Sequence, residues 1–356
     1  MSEFFHDTNL SSHTIASSLS ISMPNHWLRC LACGHRCNIA PDRQGICRVR
    51  FNRDGKLFVP SGYVSGVAVD PIEKKPFFHA YPGSTALSFG MLGCDYHCSF
   101  CQNWDISQTL RDERARSSIT EISAQELVGL ALQHRTPIIT STYNEPLITT
   151  EWAVKIFKLA KQVGLVTSYV SNGNATPEVL DYLQPWIDLY KVDLKAFKQK
   201  TYSQMGGVLQ TVLDTIASLY KRGLWTEVVT LVIPGMNDSN EELNDIAAFL
   251  VSVSPDIPWH VTAYHEDYTM KATEESTPAT TLLRAAEIGY NAGLHFVYTG
   301  NLPGQTRNFE NTYCHHCGEL LIERRGFHVL RNRITNGSCF KCQTLIAGRW
   351  ETVTQK

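Results

Sequence analysis

The sequence predicts an α/β protein: a full or partial parallel (β/α) barrel with a small cysteine-rich metal-binding module at each end. Three observations predict it. Short apolar, β-branched runs alternate with amphipathic helical patterns through the middle of the chain, as in repeated parallel βα units. Polar turns follow those runs in constant phase. All eleven cysteines fall into three groups, at 30/33/37/47, 94/98/101 and 314/317/339/342.

In chain order, residues 1–25 are rich in Ser, Thr and His and are expected to be a disordered tail. They lack the basic start and continuous apolar stretch of a secretory leader, so a cytoplasmic location is expected. Residues 26–70 are expected to form a Cys₄ metal module, with Gly34 and Gly45 suited to tight turns around a metal. The barrel is expected over 75–303. Its strands are read at 85–92, 137–142, 166–170, 189–194, 227–233, 259–264 and 295–298. The helices between them are read at 123–134, 151–163, 177–183, 211–222, 241–251 and 280–292. In 151–163, Trp152, Ile156, Leu159 and Val163 share one face; Thr176 is placed to cap 177–183. Residues 308–356 are expected to be a zinc ribbon.

Composition narrows the function. With 43% hydrophobic and 19% charged residues the chain is ordinary for a folded protein, and no apolar run approaches the ~20 residues of a membrane span. The net charge of −2 hides two basic ends: seven basic and two acidic residues in 26–60, seven and three in 314–356. Such an excess attracts nucleic acid, or it balances metal-bound thiolates, since zinc with four thiolates carries −2.

Close-spaced cysteines in a chain without a leader point to metal rather than disulfides. Cys94, Cys98 and Cys101 lie within eight residues. Such a loop can hold three irons of a cubane and leave the fourth open to a small molecule; with His97 it could instead close a Cys₃His zinc site. Cys314, Cys317, Cys339 and Cys342 form two C-x₂-C knuckles suited to tetrahedral zinc, with a second iron–sulfur cluster as the alternative. Cys30, Cys33, Cys37 and Cys47 could close one zinc or hold an auxiliary cubane; their spacing does not decide between the two.

In a parallel barrel, 94–101, Tyr143-Asn144-Glu145-Pro146, Ser171-Asn172-Gly173, Asp193-Leu194-Lys195, Pro234-Gly235 and Tyr264-His265 would meet at the carboxyl ends of the strands, where such folds bind ligands. Each has a plainer reading as well: Glu145 as a helix-start residue, Asp193 and Lys195 as a strand-end ion pair, His260 as a core histidine.

The C-x₃-C-x₂-C spacing, with Phe100 before its last cysteine, resembles the signature of the radical S-adenosylmethionine (SAM) superfamily. Asn144-Glu145 stands where that superfamily has a Gly-Gly-Glu-Pro-like turn, with both glycines replaced. Ser171-Asn172-Gly173 is similar to its ribose-contacting stretch. Asp193-x-Lys195, His260 and His265, and the run Cys98–Asp105 resemble features of glycyl-radical activating enzymes. Together with Tyr298–Gly304 and Glu310–Cys314, the chain resembles the radical SAM enzyme of the AmmeMemoRadiSam system, related to pyruvate formate-lyase activating enzymes, over residues 28–350.

The resemblance implies a barrel of the radical SAM type and a [4Fe-4S] cluster on Cys94, Cys98 and Cys101. It implies reductive cleavage of SAM to a 5′-deoxyadenosyl radical that abstracts hydrogen from a substrate, a small molecule or a protein glycine. Phe100 would pack near the adenine, Asn144 and Glu145 contact the methionine end, Ser171 and Asn172 lie near the ribose, and Asp193 and Lys195 lie near the carboxylate or a bound cation. The radical does the chemistry, so no acid, base or nucleophile is nominated. A flavodoxin or ferredoxin is the implied electron donor, and Memo-like and AMMECR1-like proteins are implied partners. Two other functions compete: a radical SAM enzyme modifying RNA, disfavoured because no basic stripe is interleaved with aromatics, and a non-catalytic zinc scaffold.

Overall fold

In a computed structural model, residues 8–270 and 276–351 are described. Residues 1–7 of the expected tail and 352–356 of the expected ribbon lie outside them.

The β-branched runs form one eight-stranded sheet. Its strands are β1 (Gly66–Pro71), β2 (Thr85–Gly90), β3 (Ile138–Ser141), β4 (Val166–Ser171), β5 (Leu189–Asp193), β6 (Trp225–Val232), β7 (Trp259–Ala263) and β8 (Val297–Gly300). They lie side by side in chain order, and β2 to β8 are all parallel. β1 runs antiparallel to β2, from Gly66 opposite Gly90 to Pro71 opposite Thr85. The sheet is open among the described residues: β1 and β8 are its two edges, and no hydrogen bonding joins them. The predicted seven parallel strands are therefore present, in an unclosed sheet.

Among the described residues, the longer helices between the parallel strands are α1 (Ala124–Gln133), α2 (Thr150–Gln162), α3 (Pro177–Leu183), α4 (Leu209–Lys221), α5 (Asn240–Val253) and α6 (Ala279–Ala292), with shorter ones at Trp104–Ser107 and Gln199–Gln204. Their starts follow from local chemistry. Ser123 and Glu126 cap α1 reciprocally, Thr176 accepts from Val179 N at the start of α3, and Ser239 caps α5. Trp152 and Ile156 bury the inner face of α2 and Leu159 packs at its margin, whereas Val163 falls just past the helix and is exposed.

Two expectations are corrected. The tail is not loose from Thr14 onward. Thr14–Ala16 pairs with Lys56–Pro60, and Ser20–Ser22 pairs with Leu28–Cys30. Buried Leu10 and Leu19 and a Ser17 hydroxyl bonded to Glu151 anchor the stretch. The amino-terminal module also ends before residue 70, because β1 contributes its hydrogen bonds to the main sheet.

At the amino ends of the strands, Glu227 is fully buried. It accepts from Phe78 N and His79 N (both 2.9 Å) and from Trp225 Nε1 (3.0 Å), and it lies 2.7 Å from His260 Nε2. Burial pushes this carboxyl up, but the His260 hydrogen bond and charge outweigh it and leave it below the ordinary range. Arg324 of the carboxy-terminal hairpin donates to the Phe78 carbonyl (2.7 Å) and Thr312 Oγ1 (2.8 Å), so the ribbon is clamped onto this end. His260 is thus a core histidine at the end of the sheet opposite the cysteine loop.

Candidate SAM and iron–sulfur site

Because β2 to β8 are parallel, every polar segment that follows them emerges at one rim. The cysteine loop leaves β2, and its neighbours pin it. Gly93 N donates to the Ile106 carbonyl (3.2 Å), His97 N to the Met205 carbonyl (3.1 Å), and Thr269 N and Met270 N both donate to the Ser99 carbonyl. Gly90 has to be glycine: a Cβ there would lie 2.7 Å from the Thr142 carbonyl and 2.9 Å from Tyr143 Cβ, blocking the close approach of the next turn. His265, past the end of β7, reaches the same rim, with Nε2 3.0 Å from Gln102 Nε2.

Cys98 is buried, and Cys94 and Cys101 are partly so. Burial raises all three thiols, Cys98 to about 12 even though Lys195 pulls it down. As free thiols they stay protonated, and ionising them takes positive charge delivered to the loop. Their spacing identifies what kind. Tetrahedral zinc with bonds of ~2.3 Å brings its sulfurs to within ~3.8 Å of each other. Among the described residues, the one set of three or more Cys, His, Asp or Glu donors all within 4.8 Å of one another is Cys314, Cys317, Cys339 and Cys342. Its sulfur pairs stand 3.6 Å and 3.8 Å apart. The central trio, with or without His97, does not close that far. Thiolates spread wider than one ion needs suit a cluster that binds each on a different iron.

Around the loop the residues singled out by sequence converge. Glu145 is buried and saturated by protein donors: Leu147 N (3.0 Å), Ser171 Oγ (2.7 Å) and Asn172 N (2.6 Å). Asn144 Oδ1 accepts from Met91 N (3.1 Å). Asn172 donates to Asp95 Oδ1 (2.8 Å) and accepts from Asn174 N (2.9 Å). Phe100 is buried in the main core. Asp193 and Lys195 form an ion pair (3.2 Å), and Lys191 bonds to the other Asp193 oxygen. Burial raises Asp193, but Lys191 and Lys195 outweigh it and bring it down to about 2. Asp193 keeps 28% of its side chain exposed and Lys195 17%. These two can therefore reach a ligand at the rim, whereas Glu145, Ser171 and Asn172 shape the rim from within.

The residue that sequence reading missed is Asp95. It is fully buried beside Cys94, and Asn172 and Asn174 grip one carboxylate oxygen each at 2.8 Å. Its one signal was an acid inside a cysteine motif, and its partners lie 77 and 79 residues away. Tyr143 was placed at the rim but given no role of its own. It adopts a left-handed backbone (φ 72°) in the turn before Glu145, and Lys75 Nζ sits 4.9 Å over its ring. A non-glycine residue in that region costs of order 1–3 kcal/mol, strain that concentrates at functional sites.

Burial, then the nearby Asp95 charge, pushes the Glu145 carboxyl up to about 8. A carboxyl raised in the folded state stabilises the fold most below its ordinary range, and that contribution is lost as pH rises to about 8. Urea unfolding of metal-free protein from pH 5 to 8.5 is expected to show stability falling by up to about 1.4 kcal/mol per pH unit relative to Glu145→Gln. Parallel pH profiles would contradict this.

A family model described as the radical SAM superfamily matches residues 90–250. The uncharacterized protein MJ0808 of Methanocaldococcus jannaschii is 36% identical over 305 residues, 85% of this chain and 89% of that protein. The pyruvate formate-lyase-activating enzyme of Staphylococcus epidermidis is 24% identical over 192 residues, 49% of this chain and 72% of that enzyme. Among solved structures, a domain of the pyruvate-formate lyase-activating enzyme from Bacteroides vulgatus aligns with a TM-score of 0.41 at 20% identity, over 46% of this chain and 98% of that one. Streptococcus suis SuiB bound to S-adenosylmethionine aligns at 0.48 and 14% identity, over 62% of this chain and 51% of that one. The chain thus carries a radical SAM domain over residues 90–250, and it belongs to one family with MJ0808 of Methanocaldococcus jannaschii.

Proposed function

We propose that this protein reductively cleaves S-adenosylmethionine and uses the resulting 5′-deoxyadenosyl radical to take hydrogen from a substrate, as an activating-enzyme-like radical SAM oxidoreductase. The observation that carries the reading is the loop of Cys94, Cys98 and Cys101 at the carboxyl ends of the parallel strands, its sulfurs spread wider than a single ion needs. When bound, the cluster supplies one electron and SAM the sulfonium that the electron breaks.

This chain's residues do the rest. Cys94, Cys98 and Cys101 would hold the cluster, three thiolates for its four irons. Glu145, bonded to Ser171 and Asn172, fixes the turn that receives the methionine end, with Asn144 beside it. Ser171 and Asn172 flank the ribose and Phe100 packs near the adenine. Asp193 and Lys195 present the exposed charge pair to the carboxylate or a bound cation. The segment that follows β7 lies against the loop, Thr269 N and Met270 N both donating to the Ser99 carbonyl.

Three further parts belong to the same reading. Cys314, Cys317, Cys339 and Cys342 hold zinc in a structural ribbon, supported by their mutual approach within 4.8 Å. The chain works in the AmmeMemoRadiSam system with Memo-like and AMMECR1-like partners, supported by Tyr298–Gly304 and Glu310–Cys314. A flavodoxin or ferredoxin delivers electrons in the cytoplasm to act on a small molecule or a protein glycine.

The test is anaerobic reconstitution with iron and sulfide, reduction, and chromatography for 5′-deoxyadenosine after adding SAM. Product above that from unreduced protein is expected. Its absence from fully loaded, reduced protein would falsify the reading.

A further inference from the structure

The amino-terminal quartet packs directly against the central cysteine loop. Gly34 N donates to the Asn174 carbonyl (2.8 Å), His35 Nε2 lies 3.1 Å from the Asp95 carbonyl, and Cys33 bridges to Ala175. A Cβ on Gly34 would come within 2.3 Å of Asn174 Oδ1, so glycine is what lets the module seat this closely. On the other side of the loop, the Cys47 carbonyl lies about where a side chain on Gly93, the residue before Cys94, would have to pass, 3.0 Å from its ideal Cβ.

Cys30, Cys33 and Cys47 are buried and Cys37 is partly so, and Cys37 packs on the core cluster of Cys30, whose N donates to the Cys37 carbonyl (2.9 Å). Yet no three of them gather within the 4.8 Å that the carboxy-terminal quartet achieves in the same molecule. They behave as the central trio does. They are also provided with donors: Arg50 Nη1 lies 3.7 Å from Cys30 Sγ and Ile46 N donates to Cys37 Sγ at 3.5 Å. Hydrogen bonds and a buried guanidinium at the sulfurs stabilise thiolates and tune the potential of a cluster.

A cavity of about 400 Å³ opens at the outer edge of this quartet, lined by Arg43, Gln44, Gly45, Ile46, Arg48 and Arg111. Arg111 also bonds to the Tyr96 carbonyl, inside the central loop. Three arginines over the edge of a thiolate set are a docking place for the acidic face of a soluble one-electron carrier.

We propose that Cys30, Cys33, Cys37 and Cys47 hold a second four-iron cluster, which passes single electrons from an acidic carrier docked on the arginine cavity to the central cluster. One electron leaves the reduced carrier and reduces the amino-terminal cluster. The same electron then leaves that cluster, which is reoxidised, and reduces the central one. No bond or proton changes in either transfer. The relay half rests on the proposed function; the identity of the amino-terminal cluster does not.

The test starts from the Cys94→Ala/Cys98→Ala/Cys101→Ala protein, purified anaerobically and checked for folding by circular dichroism. It should retain about four irons and four sulfides, with a cubane absorption and paramagnetic signal, plus one zinc. No iron together with two zincs per chain would overturn the assignment, whatever the wild type does with SAM. Wild type should then carry about eight irons, and Cys37→Ala, which alters the half-buried ligand, should convert only the amino-terminal signal to that of a three-iron cluster. For the relay, wild type is mixed with flavodoxin hydroquinone and freeze-quenched. The amino-terminal signal should appear before the central one, and the central one should lag further in Cys37→Ala. Central reduction that comes first, or is unaffected by Cys37→Ala, would overturn the relay while leaving the cluster assignment standing.

Discussion

Cys98→Ala is expected to reduce 5′-deoxyadenosine formation to the level of unreduced protein and to strip the iron of the central loop. Cys98 is the buried middle ligand of the three, and its thiol is pushed up to about 12 by burial, with Lys195 as the main opposing influence. With one of three thiolates gone, two sulfurs of the loop would be left to hold the cluster, too few to keep it in place. The fold should survive, because the loop is held by backbone bonds to Ile106, Met205, Thr269 and Met270 rather than by the sulfur. A loss of one small buried side chain sits near the middle of the usual range, about 1 kcal/mol. Iron analysis and product chromatography on the folded variant check this, and wild-type product yield from Cys98→Ala would refute the assigned ligand.

The second large effect is on stability. Arg50 is almost wholly buried; it pairs with Glu151 and donates to the Ile148 carbonyl (2.9 Å). Arg50→Met leaves the Glu151 carboxylate in the interior with only the Ser17 hydroxyl. Breaking a buried pair from one side costs about 3–5 kcal/mol. Chemical unfolding should show that loss. Arg50→Met/Glu151→Met should recover most of it, since an apolar pair of similar volume replaces a charge pair at little net cost. Equal destabilisation in the single and double variants would show that the residues matter for shape and not for charge.

Much of this fold is written in local pattern. Each parallel strand lies within a few residues of its β-branched run because burial between sheet and helices requires a continuous apolar stretch. The rim followed from phase: every polar turn after a parallel strand has to emerge at the same end. β1 was not legible. Its Val67 and Val69 are largely exposed, and its place is set by antiparallel pairing to β2, which no short-range pattern encodes. The same holds for Thr14–Ala16, three residues that become a strand only when Lys56–Pro60 is beside them.

The site divides in the same way. The cysteine spacing singled out its own loop; Asn172 bonds to Asp95 within it, Glu145 bonds to Ser171 and Asn172, and Asp193 pairs with Lys195. What spacing could not supply was distance across the fold. Chain separation does not tell whether four sulfurs come within 4.8 Å of one another, as those of 314/317/339/342 do, or whether they do not, as with 30/33/37/47. Nor does it reveal that Glu145 spends its carboxylate on the protein, or that Asp95 ties the cysteine loop to Asn172 and Asn174.

The most direct test of the open corner is electron paramagnetic resonance of the reduced protein with and without SAM, recorded on the Cys30→Ser/Cys33→Ser/Cys37→Ser/Cys47→Ser variant so that only the central loop contributes. Bound SAM is expected to shift the g-values of the cluster, and nitrogen-15 in its amino group to add a hyperfine coupling. A spectrum unchanged by saturating SAM in a folded, fully loaded variant would mean that no iron of the trio is free to bind it.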